Sequence, residues 1–256
     1  RTGPTCGVPT RGTPSHPHVV TERGFRVPTE SSSHSAPSDR DLATWNDEMY
    51  RKYPTPYGGG IAGAISAARV RTVMRMASVR PDDTVLEIGC ESGHLLLQVP
   101  PCKLRMGADI SQAALDDARA AADRLGAPRV EFMQLNAEEP LPFARGQFDV
   151  IIISEMLEHV SSPRAVLEHV AKICTPQTRL VITVPNERPK LVIKDFLRAI
   201  KLFDLLFPGI EEGQSEWHLQ QFSKPLIRET VKGLFTVESI SSVWGAHYAA
   251  KLTALA

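Results

Sequence analysis

From residue 84 onward, short apolar runs alternate with amphipathic stretches. The runs at 84–88, 104–109, 130–134, 148–153 and 179–184 have strand length, and 95–99, 111–125 and 163–174 carry helical periodicity. Strands separated by helices imply βαβ units, a mostly parallel sheet with helices on both faces, and right-handed crossovers. The rhythm then breaks. Residues 191–207 predict a long, very apolar helix that stops at Pro208-Gly209, and 224–232 predict another helix. Residues 235–240 and 247–252 read as two strands of an antiparallel hairpin closing the sheet.

Upstream, the pattern fades. Residues 1–40 are rich in Pro, Ser, Thr, Gly and Arg and cannot bury enough surface to offset their ordering entropy, so a disordered tail is expected. His16, His18 and His34 read as solvated residues of that arm rather than a metal tract. Order is expected from near Asp41, with a helix over 41–53 carrying Leu42, Trp45, Met49 and Tyr50 near one face. Pro54 and Pro56 end it, and Gly58-Gly59-Gly60 forms a pliable joint. A second helix over 61–79 is apolar at Ile61, Ile65, Ala68, Val73 and Met76. The expected organisation is a tail over 1–40 and a single domain over 41–256, with 191–222 as a cap insertion.

Composition narrows the function classes. The chain has 256 residues, 42% hydrophobic and 23% charged, as an ordinary globular domain does. Lys+Arg and Asp+Glu both total 29, so the basic excess expected of a nucleic-acid binder is missing. There is no apolar run of about 18 residues that would span a membrane. Cys6, Cys90, Cys102 and Cys174 form no Cys-x-x-Cys unit and read as free thiols of a cytoplasmic protein.

The most informative stretch is Val85-Leu86-Glu87-Ile88-Gly89-Cys90-Glu91-Ser92-Gly93. A strand, a Gly-x-x-x-Gly bend and a helix start form a nucleotide site, because glycines let the backbone turn sharply beside free helix N–H groups. The Gly-x-Gly-x-x-Gly dinucleotide pattern is absent. Glu87, two residues before the first glycine, suits a ligand carrying an ammonium group better than a pyrophosphate.

This run resembles the first motif of the class I S-adenosylmethionine-dependent methyltransferases, and the resemblance extends from about residue 60 to the C-terminus. Ala108-Asp109-Ile110-Ser111 resembles that family's second station, whose carboxylate accepts both ribose hydroxyls. Gln134-Leu135-Asn136-Ala137-Glu138-Glu139-Pro140-Leu141-Pro142-Phe143 is similar to its adenine-reading loop. Phe148-Asp149-Val150-Ile151-Ile152-Ile153-Ser154-Glu155-Met156-Leu157-Glu158-His159-Val160 resembles the block ending in Glu-x-Leu-Glu-His-Val, and Val181–Asn186 fits the fifth strand. The resemblance implies a Rossmann-like α/β fold of seven strands with a helical cap, and S-adenosyl-L-methionine as cofactor. Implied cofactor contacts are Glu87, Gly89, Cys90, Gly93, Asp109, Ile110, Asn136, Ala137, Ser154 and Glu155. One departure stands out: Glu91 replaces the motif's middle glycine, at about 1 kcal/mol or more if that site needs φ > 0.

Three readings compete for the chemistry. If Ser154 begins a helical turn, Glu155, Glu158 and His159 fall on one side of it. His218 lies in Glu216-Trp217-His218-Leu219-Gln220-Gln221-Phe222-Ser223, which resembles the element before the next helix in many relatives. His159 or His218 could act as a general base. Glu155, Glu158, His159 and His218 could bind a divalent metal, as in the resembling small-RNA 2′-O-methyltransferases. Or the Glu-His-Val string could be structural; it also occurs in the metal-free ubiquinone-biosynthesis type, which this chain resembles. The favoured expectation is catalytic His159 and His218 without metal, in a monomer or homodimer that methylates an oxygen of a small molecule. The apolar 191–207 helix would line a lid for an aromatic or otherwise apolar substrate, or be buried in the core or at a dimer interface. Tyr50, Tyr53 and Tyr57 would close the other side or pack into the core. The rivals are a metal-dependent RNA 2′-O-methyltransferase and a catalytically silent cofactor-binding subunit, which Glu91 would signal.

Overall fold

The computed structural model describes residues 39–52, 60–186 and 219–255. The 1–38 tail, Tyr53, Tyr57, the 191–207 helix and His218 lie outside the described residues.

Two helices lead in, α1 (Asp39–Lys52) and α2 (Gly60–Ala77). The sheet follows as β1 (Thr84–Ile88), β2 (Leu104–Asp109), β3 (Val130–Gln134), β4 (Val150–Ser154) and β5 (Arg179–Pro185). α3 (Gln112–Leu125) joins β2 to β3, α4 (Pro163–Ile173) joins β4 to β5, and α5 (Lys224–Val231) precedes β6 (Phe235–Val243) and β7 (His247–Ala254). The strand order is β3-β2-β1-β4-β5-β7-β6. The first five strands pair in parallel, and β7 inserts antiparallel between β5 and β6. The expected seven-stranded, mostly parallel sheet with a C-terminal hairpin is the fold observed.

Local chemistry sets the helix boundaries. Ser111, Ser162 and Ser223 each accept a backbone N–H three residues on, at Ala114, Ala165 and Leu226, so α3, α4 and α5 start there. Gly126 ends α3 in the left-handed region at φ 58°. Central β4 is buried along its whole length, which is why it reads as a continuous apolar run rather than an alternation.

Two apolar layers flank the sheet. On one side Leu86, Ile88, Ile151 and Ile153 meet Val166, Leu167 and Val170 of α4 and Ile227 and Val231 of α5. On the other, Val85, Val150, Ile152 and Val181 meet Ala68, Val70 and Val73 of α2 with Leu95 and Leu96. Burying one such Ile or Leu contributes about 1.5–3 kcal/mol.

Several boundaries differ from expectation. The first helix begins at Asp39, before residue 41. Phe148 precedes β4, buried edge-on against Phe143 at 5.1 Å between ring centres. Residues 95–99 reduce to a 3-10 turn at Leu96–Gln98, and β6 runs on to Val243. Ile61, expected on the buried stripe of α2, is 62% exposed, because it sits in the first turn of the helix, ahead of the buried stretch that begins at Ala68.

Candidate active site

Every expected cofactor residue among those described lies at or just beyond the carboxyl ends of β1–β4, where ligands settle in open α/β sheets. β1 delivers Glu87 fully buried, with Oε2 lacking a hydrogen-bond partner among the described residues. Burial pushes its carboxyl up to about 8, against the pull of the Arg69 guanidinium and the Leu96 N–H. Gly89 follows at φ 75°, and a Cβ there would fall 2.7 Å from Met156 Cγ, so both backbone and packing demand glycine. Gly93 takes φ 75° as well. The Cys90 thiol faces inward and is buried, its pKa raised by that burial, so Cys90 can offer a ligand its backbone only. Glu91, in the middle-glycine position, adopts φ 48°, the strained geometry that the departure from the family pattern made conditional.

The second station closes on the first. Asp109 Oδ2 accepts the Glu91 N–H at 2.8 Å and Oδ1 accepts the Ser111 N–H at 2.9 Å. Burial raises its pKa, and these N–H donors act the other way. Each carboxylate oxygen keeps a further acceptor site, so a pair of hydroxyls can still be bound. Ile110 is tied down through its carbonyl, which accepts from Gln134 Nε2 at 3.0 Å. α1 packs on α3 and brings Asp47 to its N-terminus, where Oδ1 accepts from Ser111 Oγ at 2.6 Å and from the Ala113 N–H at 3.1 Å. Tyr50 donates to Asp117 at 2.7 Å, so it latches α1 to α3.

In the third station, Asn136 Oδ1 accepts the Glu138 N–H at 3.0 Å and stiffens its own turn. Ala137 packs against the core and its carbonyl lies 3.4 Å from His169 Nδ1. Glu138 Oε1 accepts from Ser161 N, Ser161 Oγ and Ser162 N, which moors this loop to the start of α4.

The fourth station departs from expectation. Residues 155–160 form a turn rather than a helix, and Glu155 enters it at φ 54°. The carboxylates therefore diverge. Glu158 is buried, with His159 Nε2 3.8 Å from its Oε1 and the His159 side chain 42% exposed. Glu155 reaches the other way, to His247 Nδ1 at 2.7 Å and Thr183 Oγ1 at 2.9 Å. Glu155, Glu158 and His159 thus do not share one side of a helical turn. Among the described residues no three His, Cys, Asp or Glu side chains converge as a metal site.

Two residues of this centre escaped sequence reasoning. Arg69 of α2 donates from Nη1 to Ser154 Oγ at 2.9 Å, and its buried Nε has no partner among the described residues. An arginine on an otherwise apolar helix face was the available signal. His247, at the start of β7, gave none, since a lone histidine at a strand start is unremarkable until topology sets it beside Glu155. The Glu155 carboxyl is held well below its ordinary value: burial would raise it, but the His247 ring, Arg69 and Thr183 outweigh that.

A family model described as a methyltransferase domain matches residues 80–230. Among curated proteins, the ubiquinone biosynthesis O-methyltransferase of Alkalilimnicola ehrlichii is 30% identical over 142 residues, covering 55% of each chain. The protein of that name from Pseudomonas paraeruginosa is 29% identical over 133 residues, covering 50% of this chain and 56% of its own. The chain spans about half the length of these relatives. Among solved structures, the magnesium protoporphyrin IX methyltransferase of Synechocystis PCC 6803 with bound SAH superposes with TM-score 0.63 at 17% identity, over 85% of this chain and all of that one. The 4+2 cyclase SpnF gives 0.64 at 14% identity, over 86% and 97%. Likeness this remote concerns the fold, and the cyclase's name warns that one fold serves several chemistries.

Proposed function

Because the chain belongs to the methyltransferase-domain family and uses S-adenosyl-L-methionine, we propose that it transfers the methyl group to an oxygen of a small molecule. The observation that carries the cofactor grip is that two buried polar atoms, Glu87 Oε2 of a carboxyl and Arg69 Nε of a guanidinium, lack hydrogen-bond partners among the described residues. An amino-acid ligand supplies the ammonium for one and the carboxylate for the other, and burial makes each unmet bond costly. Asp109 would take the ribose hydroxyls. Asn136 and Ala137 would border the adenine, and the backbone from Gly89 to Gly93, with Ile110, would line the cleft. Ser154 and Glu155 would stand beside the methionine end.

When bound, the cofactor supplies an electrophilic methyl group on a positively charged sulfur, which is already a good leaving group. The protein's share is to align the acceptor and accept its proton. His159, largely exposed on the turn beyond β4, would touch the acceptor, as would His218. A small-molecule acceptor is supported by the balanced charge and by relatives named for ubiquinone biosynthesis. No helix among the described residues is long and apolar enough to cross a membrane. We take the enzyme to be cytoplasmic and to work as a monomer or homodimer.

Titration calorimetry with S-adenosylhomocysteine tests the cofactor grip, and labelled methyl transfer tests the acceptor. Binding below about 100 μM with label entering 3,4-dihydroxybenzoate is expected. No binding up to about 1 mM would remove the cofactor assignment. Label entering small RNA in a chelator-sensitive way, and no phenol, would replace the acceptor class.

A further inference from the structure

A hydrogen-bonded relay crosses the carboxyl ends of β4 and β5 and reaches the amino end of β7. Arg69 Nη1 donates to Ser154 Oγ at 2.9 Å, Ser154 Oγ meets Thr183 Oγ1 at 2.9 Å, and Thr183 Oγ1 donates to Glu155 Oε1 at 2.9 Å. The other oxygen of Glu155 lies 2.7 Å from His247 Nδ1. Ser154 and Thr183 are buried, and the Glu155 and His247 side chains are 21% and 13% exposed. The relay thus runs from Arg69, whose charge pulls on the Glu87 carboxyl, to an imidazole on β7.

We propose that His247 is the base that takes the acceptor's proton, positioned by Glu155. The Glu155 carboxylate 2.7 Å from Nδ1 draws the ring proton to that nitrogen and leaves the lone pair on Nε2. The ring as it stands does not align Nδ1–H for a hydrogen bond, so a small rotation completes the contact. No described residue bonds to Nε2. The left-handed φ of 54° at Glu155 is the backbone cost of swinging its carboxylate to β7 instead of along the Glu158–His159 turn. The imidazole is held from behind too: Asn186 N–H donates to the Ala246 carbonyl at 2.9 Å and Asn186 Nδ2 to the Gly245 carbonyl at 2.9 Å, which pins the β6–β7 turn on the end of β5. Asn186 Oδ1 is buried without a partner among the described residues, so an acceptor site faces this corner as well.

The proton passes from the acceptor hydroxyl to Nε2. The hydroxyl oxygen keeps the electron pair with which it would bond to the methyl carbon as the carbon–sulfur bond breaks and its pair leaves on the sulfur. The imidazolium later releases the proton to water. Glu155 stays ionised throughout and acts through His247, as a positioning residue. Charge reaches His247 from Glu155 beyond β4 and, through the hydroxyl relay, from Arg69 of α2. Its register neighbours Pro185 and Val243 carry none. Lys224 of α5 sits 5.9 Å from the ring of Tyr248, which strand alternation turns to the other face.

The inference rests on the methyl-transfer reading, and the first measurement needs neither cofactor nor acceptor. Nitrogen-15 NMR of histidine-labelled protein at alkaline pH should show His247 as the Nδ1–H tautomer, and Glu155→Gln should abolish that preference. An Nε2–H tautomer in the unsubstituted protein would overturn the proposal by itself. His247→Gln should bind S-adenosylhomocysteine within about threefold of the parent, which shows an intact fold. It should transfer methyl to 3,4-dihydroxybenzoate about 100-fold more slowly at unchanged KM, without the acidic limb of the kcat/KM–pH profile. A parent-like rate, or that limb vanishing in His159→Ala while His247→Gln keeps it, would overturn it. Failure of the parent to bind S-adenosylhomocysteine would count against the methyltransferase reading and leave the tautomer result standing.

Discussion

The backbone N–H of Glu91 donates to Asp109 Oδ2 at 2.8 Å, so the strained bend after β1 is braced by the carboxylate that ends β2. This bond explains how a glutamate is held at φ 48° where the family motif carries glycine. It also makes Asp109 both a structural and a ligand-binding group. Asp109→Asn should cost about 1–3 kcal/mol in urea unfolding, because Glu91 or Ser111 loses a charged partner. Its affinity for S-adenosylhomocysteine should fall about 100-fold, as expected for two charge-assisted bonds to hydroxyls. Unchanged affinity would remove the ribose role.

Glu87 gives a pH signature. Its folded pKa is raised from 4.5 to about 8 by burial, so the folded protein holds a proton that the unfolded chain releases. The stability this lends is fully present below pH 4.5 and fades as pH rises towards about 8. Melting temperature of the cofactor-free protein should therefore decline across that window, and Glu87→Gln should flatten the decline. Binding an ammonium group ionises Glu87, so S-adenosylhomocysteine should release most of one proton at pH 7. Calorimetry in buffers of different ionisation enthalpy measures this, and zero release would contradict the assignment.

Gly89 is constrained twice, and the two causes separate. Gly89→Ala should destabilise by about 2–4 kcal/mol, from the left-handed φ together with a clash 2.7 Å from Met156 Cγ. Met156→Gly, which removes both Cγ and the Cβ 2.8 Å away, should relieve the clash in the same chain and leave about 1 kcal/mol of backbone strain at residue 89. Thermal unfolding of the two single variants and the double variant tests this as a coupling energy. Strict additivity would mean that the clash relaxes unaided.

Glu138 moors the third station to α4 by three bonds from Ser161 and Ser162. Glu138→Ala should cost about 1–2 kcal/mol in urea unfolding, since it acts as an added cap at a helix start. The cofactor should bind about tenfold more weakly, because only the adenine end of the cleft loosens. An effect on acceptor KM with none on cofactor affinity would reassign the loop.

Most of the fold was legible in the residues themselves. Strand and helix spacing from Thr84 onward and the glycine bend depend on neighbours a few positions apart, and a linear string records those. The placing of Glu87 and Asp109 at the ends of β1 and β2, with Gly89 just after β1, was legible for the same reason. The Glu155, Glu158 and His159 set was misjudged because periodicity assumes a regular helix, and one residue at positive φ cancels that assumption.

What the chain alone determined was the sheet and the glycine bend after β1, because both are written in local spacing, while the kind of cofactor came from the family resemblance. Only the tertiary structure decided who stands beside whom across distant segments. Arg69 comes to Ser154 over 85 positions, and Glu155 finds His247 because β7 inserts antiparallel next to β5. Such pairings follow from how strands order in a sheet and from burial that makes an unpartnered charge costly, and neither leaves a periodic trace in the sequence.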